Sequence, residues 1–134
     1  MVNFCIDDGE PISNLQLQKI LYFCQVQSFK ETGKALFDDD FEAWRYGPVI
    51  PSIYRLFSLF GGLKITLKPK IEHELNSRQE ELIERVASRL RGLYPWELVE
   101  KTHSNGSPWD KTYDGGKGAG RIITKDLIKS SALL

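Results

Sequence analysis

His103 stands in Thr102-His103-Ser104-Asn105-Gly106-Ser107-Pro108-Trp109, where an imidazole, several hydroxyls and an indole lie within eight residues. Beside Ser104 or Cys5 it could serve a nucleophile as general base, a chemistry that also needs an orienting carboxylate. No GxSxG elbow or comparable signature accompanies it. The expectation is therefore structural: an imidazole bonded to a backbone carbonyl where two helices meet.

Other chemical candidates fail on spacing. Asp114-Gly115-Gly116-Lys117-Gly118-Ala119-Gly120 is rich enough in glycine to suggest a phosphate cradle. A P-loop needs GxxxxGK[ST] after a strand, and Lys117 is followed by Gly118 without the Ser or Thr, so a mobile surface loop is expected. Asp38-Asp39-Asp40 with Glu42 has the oxygen chemistry for a hard cation. Consecutive acids point different ways and no DxDxDG loop follows, so it reads as a solvated acidic turn. Cys5 and Cys24 form no CxxC pair and no cluster with His73 or His103, which argues against a disulfide framework or zinc site. His73, between Glu72 and Glu74, is expected to be exposed. No catalytic, metal or cofactor-binding residue is assigned.

The composition narrows the function class. In 134 residues, 18 basic side chains balance 18 acidic ones, whereas a domain that binds nucleic acid usually carries a basic excess. The charge is graded along the chain, at −4 for residues 1–50, +1 for 51–100 and +3 for 101–134. A partner meeting the first 50 residues should therefore offer a basic surface. The first eight residues lack a charged and apolar leader pattern, and no apolar run approaches the ~20 residues that span a bilayer. A cytoplasmic protein is expected.

These residues must be positioned by local elements. Leu17, Ile20, Leu21 and Cys24 follow helical spacing, so a helix with one buried face is expected from about Asn14 to Thr32. Ser13 and Gln16 form a capping box at its start, and Gly33 suits its end. This helix carries Gln16, Gln18, Gln25 and Gln27. They are either exposed amides or, for Gln25, an inward bond to the turn at Trp44–Pro48. Phe41 to Tyr46 alternates as a strand that stops at Gly47-Pro48. Pro51 opens a second helix to about Phe60 with Ile53, Leu56, Phe57 and Phe60 inward, and Gly61-Gly62 breaks it. Leu63 to Lys68 alternates as a half-buried strand whose simplest partner is the Trp44 segment. Ser77-Arg78-Gln79-Glu80 caps a helix to about Arg91, Pro95 starts another to about Thr102, and Ser107-Pro108 opens the next. Arg121-Ile122-Ile123 is a short extended piece, and Thr124 caps the last helix. Trp44, Trp96 and Trp109 are expected to anchor the core. The fold class is mainly α, one domain over residues 1–134 with five to six helices and a small antiparallel β element.

Three ordered motifs then point to a family. Leu17-Gln18-Lys19, Tyr22 and Gln25 in the first long helix come first, followed by Glu42-Ala43-Trp44-Arg45-Tyr46-Gly47-Pro48 with Pro51 and Tyr54. Thr102-His103 with Pro108-Trp109 completes them. Together they resemble the Panacea domain, the family of SocA-like antitoxins and phage-associated proteins. The likeness extends over about residues 3–130. It departs after Gln25, where members often carry Gly, Trp and His and this chain has Val26, Gln27 and Ser28; an acidic residue often present before the last Trp is also missing. What the resemblance implies is an antitoxin, phage- or prophage-borne, that neutralises a cognate protein toxin by binding it, and no enzyme. The alternative mechanism in the family is an adaptor that delivers the toxin to an AAA+ protease. A nucleic-acid-binding regulator is the third reading, disfavoured by the neutral charge. Self-association is compatible with all three. Tyr22, Tyr46, Tyr54 and Arg55 are the candidate anchors for a protein partner.

Overall fold

The computed structural model of the chain describes residues 1–69 and 75–133, which excludes His73. Among these residues there are seven α-helices and a three-stranded sheet: α1 (Val2–Asp7), α2 (Asn14–Thr32), β1 (Phe41–Trp44), β2 (Gly47–Val49), α3 (Pro51–Leu56), α4 (Ser77–Leu90), α5 (Pro95–Thr102), α6 (Pro108–Tyr113), β3 (Ile122–Ile123) and α7 (Lys125–Ala132). The mainly α class holds. The helix count exceeds the expected five to six because α1 was not anticipated; six residues give too little periodicity to read. It is fixed by tertiary contact, with Val2 and Cys5 buried.

The polypeptide is organised around α2. Its ends follow local chemistry: the Gln16 amide donates to Ser13 Oγ at 3.2 Å, the Ser13 amide donates to Gln16 Oε1 at 2.9 Å, and Gly33 closes the helix at φ +71°. The expectation of one buried face is overturned. Eleven of its 19 residues are buried, among them Asn14, Gln18, Lys19 and Gln25. One apolar cluster on α2 joins Cys5, Leu17, Ile20 and Cys24 to Val86 of α4 and Leu98 of α5. A second joins Tyr22 and Phe29 to Phe41, Trp109, Ile123 and Ile128. A helix packed from two sides cannot keep its polar residues for solvent.

The sheet also differs from expectation. Gly47-Pro48 does not stop the strand. Arg45-Tyr46 is a two-residue turn, and Gly47–Val49 returns antiparallel beside β1 with Trp44 opposite Gly47. On its other edge β1 pairs with β3, Phe41 opposite Ile123. Leu63–Lys68 pairs with neither. Lys64 bridges Ser13, the Ile65 amide donates to Ile12 O at 2.8 Å, and of the three alternating apolar residues only Ile65 is buried. Alternation alone could not reveal that the edge beside β1 is taken by β3.

Two helix boundaries shift. Pro51 starts α3, but the helix ends at Leu56 and a 3-10 turn spans Ser58–Phe60. Leu56 points outward while Phe57 is buried. The cap of α4 is Asn76 and not Ser77: the Gln79 amide donates to Asn76 Oδ1 at 2.8 Å and Gln79 Oε1 accepts from the Asn76 amide. Asn and Ser cap about equally well, so the register rests on that reciprocal Gln. The glycine segment 114–120 is tightly built. Gly120 donates to Ala43 O at 2.8 Å, and a Cβ on Gly118 would lie 1.8 Å from Thr112 O.

Candidate functional site

Most of the motif residues converge where α2 meets the β1–β2 hairpin. Lys19 is fully buried, and its Nζ donates to Pro48 O at 3.0 Å. Burial disfavours the ammonium and brings its pKa down to about 7. Beside it Gly47 sits at φ +113°, where a Cβ would stand 2.7 Å from Lys19 Cε and 2.8 Å from Thr102 Oγ1. Gly47 is therefore demanded by both dihedral and space. Thr102 Oγ1 donates to Val99 O at 2.8 Å.

The buried amides of α2 hold backbone that no strand satisfies. Gln18 Oε1 accepts from the Ile50 amide at 2.9 Å, while its Nε2 donates to Asn14 Oδ1. Asn14 Nδ2 in turn donates to Tyr54 O at 3.0 Å. Gln25 accepts from the Leu36 amide at 2.7 Å and donates to Phe37 O at 3.1 Å. The expected bond from Gln25 to the Trp44–Pro48 turn is thus not formed; Lys19 and Gln18 take that segment, and Gln25 lies too far along the helix. Gln27 is the outward amide, bonded to Glu31.

Among the described residues the His103 imidazole makes no bond to a backbone carbonyl. Its ring stacks on Trp109 at 3.6 Å and 4°, and buried Nε2 has no hydrogen-bond partner among the described residues. Burial lowers its pKa, with Lys19 adding in the same direction and Asp110 opposing. The imidazole is thereby held neutral near pH 7. Trp109 is buried, Pro108 starts α6, and the indole donates to Trp44 O at 2.7 Å. Trp44 is half-buried, bonded through Nε1 to Glu42 and edge-on to Tyr54 at 5.1 Å. Trp96, expected in the core, is 59% exposed and stacks on Tyr94.

Of the four expected anchors, Tyr46 at the hairpin turn is 58% exposed and Tyr54 and Arg55 on α3 are also exposed. Tyr22 is 5% exposed and is a core residue instead. The feature missed from sequence is the surroundings of α3. That helix has no buried residue. Its Ile53 and Leu56, with Leu17, Leu21, Phe37 and Ile83, line an open apolar cavity of about 490 Å³ with exposed Asp39 at its edge. The signal was present in Ile53-Tyr54-Arg55-Leu56-Phe57, which holds more apolar surface than a six-residue helix can hide on one side. Among the described residues no cluster of three or more His, Cys, Asp or Glu could hold a metal ion, and no helix is long and apolar enough to cross a membrane. Cys5 and Cys24 are free and buried.

Comparison with known proteins places this arrangement. The family model described as Antitoxin SocA-like, Panacea domain, matches residues 17–110, a span that holds every motif residue from Leu17 to Trp109. The chain is 35% identical over 137 aligned residues to Antitoxin SocA of Caulobacter vibrioides (strain NA1000 / CB15N), covering 89% of this chain and 71% of that protein. No solved structure matches. The chain belongs to the SocA-like antitoxin family defined by the Panacea domain.

Proposed function

We propose that this chain is an antitoxin that neutralises a protein toxin by direct binding, and that the toxin docks on the surface around α3. Membership of the family supports the antitoxin role. The observation that carries the location is that α3 buries none of its six residues while exposing Tyr54 and Leu56, the latter at 55%. Aromatic and arginine anchors clustered in a desolvated pocket supply most of the energy in protein interfaces, and α3 presents Tyr54 and Arg55 beside Leu56. The net charge of −4 on residues 1–50, with Asp39 beside the cavity, suits an apolar toxin segment flanked by basic residues. The motif residues Gln18, Lys19, Gln25 and Thr102 are occupied in holding backbone, which gives no hold to an enzymatic reading.

Co-expression with the product of the adjacent open reading frame is the test. The neighbour should arrest growth alone and persist, harmless, in a stable complex with this chain. Leu56→Asp should abolish protection while circular dichroism shows a folded protein. A harmless neighbour, or one still toxic beside the wild-type chain, would sink the antitoxin reading. Protease-dependent disappearance of the toxin would replace direct inhibition by the adaptor mechanism.

A further inference from the structure

A second cavity, of about 180 Å³, opens between α2, the α5–α6 connection and the end of α7. It takes no part in the toxin reading. Its charged lining is Lys30 from α2 and Lys101 from α5, and no carboxylate lines it, in a chain with as many acids as bases. Lys101 lies in the last turn of α5, where a cation complements the helix dipole. Ser104 and Ser131 add hydroxyls from two further segments. None of these four side chains forms an ion pair or hydrogen bond among the described residues. Ser107 and Thr102 also reach the cavity, but their hydroxyls donate to Thr102 O and Val99 O.

The decisive group is Tyr22. It lines the cavity although only 5% of it is exposed, and its hydroxyl has no hydrogen-bond partner among the described residues. Its ring is fixed edge-on against Phe41 at 5.4 Å. Burial raises the phenol pKa, so the group is a hydrogen-bond donor at any physiological pH. The volume far exceeds the ~10–15 Å³ that one water needs.

We infer that this cavity binds an oxyanion, a phosphate or carboxylate group, with the Tyr22 hydroxyl and the Lys30 and Lys101 ammonium groups as donors. Charge-assisted bonds from several donors are the ordinary means of holding such a group. Free or carried on a larger molecule, the ligand is recognised through its oxyanion head group.

The test is a two-dimensional amide NMR titration of the full chain in a buffer free of both anions, with inorganic phosphate in one arm, acetate in the other and chloride as ionic-strength control. Saturable shifts should gather around Ser104 and Ser131. Tyr22→Phe keeps the ring packing and should weaken binding about fivefold. Lys30→Ala with Lys101→Ala should weaken it by more than about tenfold. Tighter binding of phosphate assigns a phosphoryl ligand, and equal or tighter binding of acetate assigns the carboxylate of an acidic residue or metabolite. Shifts that only follow the chloride control, or that persist unchanged in both variants with otherwise native spectra, would overturn the assignment.

Discussion

The motif face of α2 and the surface around α3 treat their residues in opposite ways. On α2, polar side chains turn inward: Gln18, Lys19 and Gln25 are buried and bonded to the backbone of Ile50, Pro48, Leu36 and Phe37. On α3, apolar side chains turn outward, with Leu56 55% exposed and Tyr54 exposed beyond its edge contact with Trp44. Each arrangement costs free energy taken alone, since buried amides must find partners and exposed apolar area forfeits burial. The first cost is met inside the chain by backbone bonds. The second is met by nothing among the described residues, which is why the partner is placed there.

The comparison can be broken most forcefully at Gly47. Gly47→Ala should destabilise the protein by about 3 kcal/mol in chemical denaturation, through an unfavourable φ and a clash with Lys19 and Thr102. Gln25→Leu should cost about 2 kcal/mol, because the Leu36 amide and Phe37 carbonyl lose their partner.

Lys19 gives a pH signature. Its folded pKa of about 7 lies below the unfolded 10.5, so between these values the unfolded chain binds the extra proton and stability rises with pH. From pH 7 to 9 the gain should approach about 1 kcal/mol per unit, below the limit of ~1.36 per unit for one proton. The desolvated Met1 amine adds in the same direction, and the raised thiol pKa values of Cys5 and Cys24 oppose it from about pH 8 upward. Lys19→Met should flatten most of this slope, and an unchanged slope would show that Lys19 is not its source. Leu56→Asp should have the smallest effect on stability, within about 0.5 kcal/mol by thermal melting.

What sequence revealed, and what it hid, follows the same division. The start of α2 at Ser13, its end at Gly33, the helix openings at Pro51, Pro95 and Ser107, and the Thr124 cap were legible because a cap is settled within about four residues. Gly47-Pro48 was misread as a stop because the reason for that glycine, the Lys19 side chain, lies 28 positions earlier and on another element. Gln18 and Gln25 lie seven residues apart on one face of α2, yet their backbone partners are set by tertiary approach. Leu56 was placed inside because helical spacing continues through it, while the backbone leaves the α-helix there and puts Phe57 into the core.

Calorimetric titration of the purified toxin into the wild-type chain, Leu56→Asp and Lys19→Met tests the central claim most directly. The expected result is that Lys19→Met binds as the wild type does, while Leu56→Asp keeps its melting temperature and loses at least about 30-fold in affinity, the loss of a strong anchor. Undiminished binding by Leu56→Asp, or lost binding by a fully folded Lys19→Met, would contradict the assignment of α3 to the partner and of the α2 face to the fold.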